Sequence, residues 1–446
     1  MRVKLDTPLS LREIALALGT VTNNDGYITA ITTDTREAQS GDLFIALSGE
    51  NDNGEKYIGA AKEMGCIVLS TSTGKGIVTV EDTAMALLRL AEYYKSKLCV
   101  KHTVAVTGSV GKSTTVKFIT KILKEKYRTH SPNGNYNNHI GVPLTVFSTP
   151  KDTEVLIVEL GMNHKREISR LSRCVHPTVS VITSVGTAHL GNLGTREDIA
   201  KAKLEILDGM SDGVLLVPEN EPLLKNASNA TCTGRNSSLS SFSLSDVGDY
   251  YSFRTSKGNI DGIEFFDKRE HLLRDLAFAL SIASLLGLSE KEIRDGARAI
   301  NESDIRQRFI SIDDFTIFDD SYNASLESVI ADFQYISAMN RSAGAFLGDI
   351  LELGESAHEI HEKIGEAAAR LGILHLYLIG EYASYTRFGA IKAGMCPSNI
   401  FVNEDISNPS KSIDQILLNH SPGEIILFKA SHKIRLDKIA DTMKKG

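Results

Sequence analysis

The chain has 446 residues, of which 42% are hydrophobic and 24% charged, and its formal net charge is −7. At roughly 150 residues per domain, this length predicts about three domains. The acidic balance argues against a general nucleic-acid-binding protein, which carries a basic excess, and no run approaches the roughly 18 apolar residues of a membrane helix.

The first hundred residues predict a small α/β unit. A helical period over residues 9–18 precedes strand-like pieces such as "GDLFIALSG", and a helix over residues 57–64 precedes the strand "CIVLS". A second helical stretch, "DTAMALLRLAEYYKSKL", then leads to a strand at residues 102–108. We therefore place the first domain at residues 1–100.

From residue 101, strands alternate with helices. The Val/Ile/Leu-rich strands "TVAVTG", "EVLIVELG", "TVSVITSVG" and "GVLLVPE" are separated by helical segments at 112–126, 166–173 and 196–209. Such strands predict a parallel sheet buried on both faces. Short strands and turns over 228–265 and a helix over 270–286 complete a second domain, residues 101–300.

The last third of the chain repeats this pattern. A hairpin-like "RFISIDDFTIFDDSY" is followed by "AGAFLGD", "LHLYLIG" and "EIILFKA", interleaved with helices. These features predict a Rossmann-like domain over residues 301–446. The expected fold class is α/β with three domains: a small N-terminal α/β substrate domain, a central doubly wound P-loop domain and a C-terminal Rossmann-like domain.

The stretch "VAVTGSVGKSTT" is typical of a phosphate-binding loop, because a strand, a glycine turn, a lysine, a hydroxyl and a helix follow one another. The usual first glycine is replaced by Val106, so the loop is shorter than the common form. The predicted nucleotide contacts are Gly108, Ser109, Val110, Gly111, Lys112, Ser113 and Thr114. Taken alone, the loop fits a kinase, an ATPase or a ligase.

Three further residues are candidates for the same site. Glu159 ends a buried strand, where a carboxylate can hold Mg²⁺ beside phosphates. His189 lies in a later loop and Lys203 on the helix after it. A solvated glutamate, a structural histidine and a solvated lysine are the alternatives.

Together with the loop, the stretches "NYNNHIGVPLT", "ELGMNH", "GTAHLGNLGTREDIAKAKLEI" and "DDSYNAS" resemble the Mur ligase family in their order, over residues 30–435. The segment "TTDTREAQSGDLFIALSGENDNG" resembles the substrate-domain signature of the same family. The resemblance implies an ATP-dependent peptide ligase of peptidoglycan precursor synthesis, in which a carboxylate is phosphorylated and an amine attacks the acyl phosphate, giving ADP and phosphate. The motif order is most similar to that of the member that joins D-alanyl-D-alanine to UDP-N-acetylmuramoyl-tripeptide.

The resemblance also implies two Mg²⁺ ions and a set of roles. Ser113 and Glu159 would hold one ion; His189 and a carbamylated Lys203 would hold the second. Carbamylation would turn the lysine into an anionic ligand, whereas an ordinary amine paired with Glu205 or Asp198 is the alternative. The remaining implied contacts are Asp275, Arg306 (with Arg308 as a competitor) and Asp320 for ATP, and Asp34, Thr35, Arg36, Asn137 and Asn138 for the substrates.

Several positions depart from the family pattern. Asp275 replaces an asparagine expected at adenine, Lys165 and Arg166 replace Pro-Gly, and "KASH" replaces Lys-Gly-Ser-Arg near the end. The block "GDILELGESAHEIH" matches a family motif without a chemical role, and helix packing accounts for its His361. The open alternatives are therefore a paralogue joining another carboxylate and amine, or a non-catalytic nucleotide-binding descendant.

The five cysteines are scattered without a CxxC pair, which favours reduced thiols over disulfides or zinc. Asp6 and Glu13 interrupt the N-terminal apolar positions, which argues against a secretory signal. We expect a cytoplasmic monomer that binds small-molecule substrates, without nucleic acid and without membrane insertion.

Overall fold

The computed structural model describes residues 1–21, 25–49, 52–132, 134–227, 230–235 and 241–444. Parts of the predicted strand-and-turn segment, at 228–229 and 236–240, lie outside the described residues. The chain divides into two compact units: unit 1 comprises Met1–Ser184 and Ala200–Ile300, and unit 2 comprises Val185–Ile199 and Asn301–Gly446. Within the described part of the chain, the strands form sheets of five, nine and six members, the first two in unit 1 and the third in unit 2.

The first sheet has the order β1-β2-β3-β4-β5, with β1 antiparallel to β2 and the other neighbours parallel. Where the sequence predicts a helix from residue 9, strand β1 continues to Ser10. The Ser10 side chain then caps the helix reciprocally with Glu13, so the helix begins at Leu11. The elements are β1 (Arg2–Ser10), α1 (Leu11–Leu18), β2 (Tyr27–Thr32), β3 (Leu43–Ile45), α2 (Ile58–Glu63), β4 (Ile67–Ser70), β5 (Ile77–Thr79) and α3 (Thr83–Lys95).

In the second sheet, the strands from β7 at one edge to β12 run parallel, as the apolar strands predict. Strands β13 and β14 add an antiparallel edge on the other side. Its elements are β6 (His102–Thr107), α4 (Lys112–Leu123), β7 (Thr129–His130), α5 (Gly141–Phe147), β8 (Val155–Glu159), α6 (Glu167–Val175), β9 (Val179–Ile182), α7 (Leu190–Leu193), α8 (Arg196–Leu204), β10 (Val214–Pro218), β11 (Ala230–Arg235), β12 (Phe242–Asp246), β13 (Tyr251–Thr255), β14 (Gly258–Ile263), α9 (Glu270–Leu285) and α10 (Glu290–Arg298). Of these, α7 and the first four residues of α8 belong to unit 2. The strand order is β14-β13-β12-β11-β10-β9-β6-β8-β7, which puts β6 between β9 and β8.

The third sheet has the order β15-β16-β20-β17-β18-β19, in which the predicted β15–β16 hairpin is the antiparallel edge. Apolar clusters cover both faces, as a Rossmann-like layer arrangement requires. The elements are β15 (Arg308–Ile312), β16 (Phe315–Asp319), α11 (Leu326–Ser337), β17 (Ala343–Gly348), α12 (Ala357–Arg370), β18 (His375–Ile379), α13 (Ala383–Lys392), β19 (Ile400–Asn403), α14 (Ser410–Asn419), β20 (Ile425–Lys429) and α15 (Leu436–Met443). In the described part of the chain, no helix has the length and apolar character needed to cross a bilayer.

Candidate active site

The turn after β6 is packed so closely at its two glycines that neither position has room for a side chain. Gly108 and Gly111 have φ angles of 151° and 90°. A Cβ atom on Gly108 would lie 1.9 Å from Oγ1 of Thr183, and one on Gly111 would lie 2.7 Å from Oδ1 of Asp275. The turn leads directly into α4, where Nζ of Lys112 folds back and donates to the Gly108 carbonyl (2.8 Å). This geometry is typical of a loop that presents backbone N–H groups and a helix N-terminus to phosphates.

A carboxylate stands beside this turn because β8 pairs with β6, with Glu159 opposite Val106. Glu159 is buried. Its Oε2 accepts from Oγ of Ser113 (2.5 Å), and its Oε1 accepts from Nδ2 of Asn137 (2.9 Å). Three residues predicted for the site from separate motifs therefore form one hydrogen-bonded group of oxygen-rich side chains.

On the other side of β6, two hydroxyls that the sequence analysis did not single out hold the turn. Oγ1 of Thr183 donates to the Val110 carbonyl (2.5 Å), and the Val110 N–H donates to Oγ of Ser184 (2.9 Å). Both residues directly follow β9. Their position after a buried strand that neighbours β6 is the signal that could have identified them.

The Lys203 side chain is buried, with 2% of the residue exposed. Among the residues that the structure describes, none forms a hydrogen bond or an ion pair with its amine. Glu205, one alternative partner, instead accepts from the backbone N–H groups of Arg166 and Ser169 (2.7 and 3.2 Å). Burial lowers the pKa of Lys203 well below its usual range, and the positive charge of Lys112 lowers it further.

Asp275 lies beneath the turn, on the buried side of α9. Its Oδ1 accepts from Oγ1 of Thr115 in the first turn of α4 (2.8 Å). Burial raises the pKa of Asp275 to about 7, although the Thr115 hydrogen bond acts in the opposite direction. The predicted contact of this residue with adenine stays a prediction.

The other predicted substrate residues of unit 1 fall into two groups. Oδ1 of Asn138 accepts from the N–H groups of Ile140 and Gly141 (3.1 and 2.8 Å), so this side chain caps the turn into α5. Near the N-terminus, Asp34 and Arg36 flank Thr35 and form an ion pair (2.6 Å), in which the arginine is exposed to solvent.

In unit 2, His189 precedes α7 and makes a defined contact. Its Nδ1 donates to Oε2 of Glu352 (2.7 Å), and the imidazole is 25% exposed. Glu352 belongs to the "GDILELGESAHEIH" block. His361 of that block is buried; its Nδ1 donates to the Ala357 carbonyl (2.7 Å) and its Nε2 accepts from the Ile350 N–H (3.1 Å), so it has the structural position expected for it.

The two candidate arginines of "RQR" have different surroundings. The guanidinium of Arg306 stacks over the ring of Tyr322, 3.6 Å from its centroid. Arg308 pairs with Asp319 (2.7 Å) and Asp441 (2.8 Å), which assigns it a structural role in the hairpin. Arg306 therefore remains the better candidate for contacting phosphates.

Asp320 belongs to a buried charged group at the end of β16. It pairs with Lys429, which also pairs with Asp332 (2.8 Å). Burial raises the pKa of Asp320. The positive charge of Lys429 and its hydrogen bond outweigh this effect, so the pKa of Asp320 lies below its ordinary value. Burial raises the pKa of Asp332, and the charge of Asp320 adds to that shift. The pair thus favours one ionised carboxylate, that of Asp320.

Comparison with known proteins identifies relatives along the whole chain. The Mur ligase middle domain matches residues 106–273. The UDP-N-acetylmuramoyl-tripeptide–D-alanyl-D-alanine ligase of Bacillus subtilis is 34% identical over 431 residues, covering 92% of both chains. A crystal structure of MurF from Acinetobacter baumannii is 26% identical, covers 100% of both chains and has a TM-score of 0.87.

A more distant structure has the same fold. MurF from Thermotoga maritima, solved in complex with ADP, is 23% identical, with a TM-score of 0.78 over 93% of this chain and 97% of that one. The predicted fold class, α/β with the three-domain Mur ligase architecture, is therefore confirmed. By its identity to the Bacillus subtilis enzyme over nearly the full length of both chains, this chain belongs to the Mur ligase family, among the UDP-N-acetylmuramoyl-tripeptide–D-alanyl-D-alanine ligases.

Proposed function

We propose that the chain uses ATP to join D-alanyl-D-alanine to UDP-N-acetylmuramoyl-tripeptide in peptidoglycan precursor synthesis. A carboxylate oxygen of the tripeptide attacks the γ-phosphorus, ADP leaves, the amine of the dipeptide attacks the acyl carbon, and phosphate leaves as the amide forms. The observation that carries the proposal is the group Ser113–Glu159–Asn137 beside the glycine turn. A phosphate loop alone would fit many nucleotide enzymes, whereas this group joins three motifs of one ligase family.

The reaction brings two anions together, so the residues of the turn must supply positive potential. Lys112 exchanges its contact with the Gly108 carbonyl for the terminal phosphates. The backbone N–H groups at the start of α4 bind the phosphate oxygens, with the helix dipole in their favour. These contacts stabilise the charge that is spread over the phosphate oxygens in the transition state.

The donor set beside the turn fits Mg²⁺, because a hydroxyl and a carboxylate are hard oxygen ligands. In the described residues, no three His, Cys, Asp or Glu side chains are grouped to hold a metal ion by themselves. Ser113 and Glu159 would therefore hold one ion together with substrate phosphates and water, as Mg²⁺ usually requires. When bound, the ion neutralises charge on the phosphates.

For the second ion we propose His189 and a carbamylated Lys203. The support for carbamylation is the burial of an amine with a depressed pKa and no counter-ion among the described residues. A neutral amine is the nucleophile that adds to CO₂, and the product is an oxygen ligand. His189 contributes Nε2, since Nδ1 is engaged by Glu352.

The remaining roles are assigned by position in the family motifs. Arg306 contacts the phosphates and Asp320 the ATP ribose. Asp275 and the turn residues Ser109, Val110 and Thr114 belong to the nucleotide side, while Asp34, Thr35, Arg36, Asn137 and Asn138 serve the UDP-linked substrate. We divide these roles among a UDP-sugar domain at 1–100, an ATP domain at 101–300 and a closing domain at 301–446. A monomer in the cytoplasm is part of the proposal, and five free cysteines are compatible with it.

The test is phosphate release from ATP with UDP-N-acetylmuramoyl-tripeptide, with and without D-alanyl-D-alanine, followed by mass analysis of the product. We expect release that needs both substrates and a pentapeptide product. Lys112→Ala should abolish release, whereas Lys124→Ala, an exposed lysine at the far end of the same helix, should not. Release only with another amine or carboxylate would replace the substrates in this proposal, and full turnover by Lys112→Ala would refute its chemistry.

A further inference from the structure

The block "GDILELGESAHEIH" contributes one side chain that contacts a residue of the proposed site. Oε2 of Glu352 lies 2.7 Å from Nδ1 of His189, and both residues belong to unit 2. An ionised carboxylate only accepts hydrogen bonds, so this contact requires a proton on Nδ1 and, of the two neutral tautomers, fits the one that is protonated there. Among the described residues, none forms a hydrogen bond with Nε2.

The backbone on both sides of this contact is held in an uncommon conformation. His189 has φ 68° and Glu352 has φ 64°, in the left-handed region that non-glycine residues seldom adopt. The Gly191 N–H donates to the Glu352 carbonyl (3.1 Å), and a Cβ on Gly191 would lie 2.6 Å from the nitrogen of Gly354. The turn carrying His189 is thus fitted against the turn carrying Glu352, and strain is retained at both ends of one hydrogen bond.

Neighbouring residues fix the position of Glu352. The Ile350 N–H donates to Nε2 of His361, and the Leu351 N–H donates to Oγ of Ser431 (2.8 Å). Ile350 and Leu353 are buried in the core on either side of the glutamate. The turn is therefore anchored on both sides, while the Glu352 side chain itself points to His189.

We propose that Glu352 is a positioning residue for the ligation reaction, which holds His189 with Nδ1 protonated and presents Nε2 as the free acceptor. This inference rests on the proposed function, because there His189 serves as a metal ligand through Nε2. A ligating histidine commonly donates its other N–H to a carboxylate, which fixes both the ring orientation and the tautomer. This positioning role gives the "GDILELGESAHEIH" block a chemical function. His361 and Ser431 accept hydrogen bonds from the backbone beside Glu352 and hold its turn in place.

The first test reads the tautomer directly, without metal or substrate. Nitrogen NMR of histidine-labelled protein at pH 8.5, above the ordinary imidazole pKa of about 6.5, distinguishes the two forms; His189→Gln assigns the signal. We expect the Nδ1–H form in the unaltered protein and in Glu352→Gln, whose amide oxygen still accepts, and its loss in Glu352→Ala. Glu355→Gln, an exposed glutamate in the same segment, is the matched control and should leave the signal unchanged. An Nε2–H form in the unaltered protein, or an Nδ1–H form that persists in Glu352→Ala, would overturn the inference.

The second test separates this inference from the proposed function. Mn²⁺ replaces Mg²⁺ in the presence of a non-hydrolysable ATP analogue, and free Mn²⁺ is measured by electron paramagnetic resonance. We expect Glu352→Ala to weaken Mn²⁺ binding by about 10- to 100-fold, the range seen when such a supporting contact is removed, and His189→Ala to weaken it at least as much. Unchanged binding in His189→Ala would remove His189 from the proposed metal site, whereas unchanged binding in Glu352→Ala alone would refute the positioning role.

Discussion

Replacing Asp275 by asparagine should stabilise the folded protein at alkaline pH and have a smaller effect at acidic pH. In the folded protein, Oδ1 of Asp275 accepts from Thr115 and lies against Gly111, in a position with 5% of the residue exposed. Asparagine keeps the acceptor oxygen and the shape but cannot ionise. Its effect therefore isolates the free energy of placing a charge beneath the turn.

The size of this effect follows from the difference between the pKa of Asp275 in the folded protein and its pKa in the unfolded chain. Burial raises the pKa of Asp275 from 3.8 to about 7, and each pKa unit corresponds to about 1.4 kcal/mol. Because the folded state holds its proton more tightly, stability is highest below pH 4 and falls as the pH rises towards 7. The full loss is about 4 kcal/mol, of which about 2.5 kcal/mol falls between pH 5 and pH 8.

The assay is urea denaturation of the unaltered protein and Asp275→Asn at both pH values. Comparing the variant's effect at the two values cancels the contributions of all other titrating groups. We expect the asparagine to be more favourable at pH 8 than at pH 5 by about 2.5 kcal/mol. Asp249→Asn, an exposed carboxyl in the same unit, should show no such difference. A difference below about 0.5 kcal/mol for Asp275→Asn would mean that the folded carboxyl titrates normally, and would refute the reasoning.

Three further predictions concern the turn and its neighbours. Gly108→Ala should lower kcat/KM about 100-fold while the protein stays folded, because the new Cβ would collide with Thr183 and displace the phosphates; a steady-state rate near normal would contradict the tight packing. Asn138→Ala should lower the free energy of unfolding in urea by about 1 kcal/mol, because a cap is lost. Asn137→Ala should chiefly lower the rate of phosphate release. Equal effects of the two variants on stability and on rate would contradict this division. Removing dissolved CO₂ should lower phosphate release by the unaltered enzyme, and added bicarbonate should restore it. Lys203→Ala should show no such response. Phosphate release that does not depend on CO₂ in the unaltered enzyme would argue against carbamylation.

Much of the local architecture was predictable from the sequence. The apolar strands and helical periods predicted a parallel central sheet and the β15–β16 hairpin, because side-chain period and strand length report burial directly. The glycine turn with Lys112 and Ser113 was recognisable because its residues are adjacent in the chain. The start of α1 was placed too early, since the apolar Leu9 serves the end of β1 rather than the helix.

The sequence by itself determined the family, the fold class and which candidate site residues lie at the end of each strand. Motifs and periodicity are properties of residues that are close together in the chain. Only the tertiary structure decided which of those residues meet. Ser184 reaches Val110 and Asp275 reaches Thr115 because β9 and α9 are brought against the turn from distant parts of the chain. It also separated Asn137, whose side chain donates to Glu159, from the adjacent Asn138, whose side chain caps the turn into α5. The physical reason is that hydrogen bonding and burial of polar groups depend on strand order and on packing across layers, which spacing along a chain does not specify.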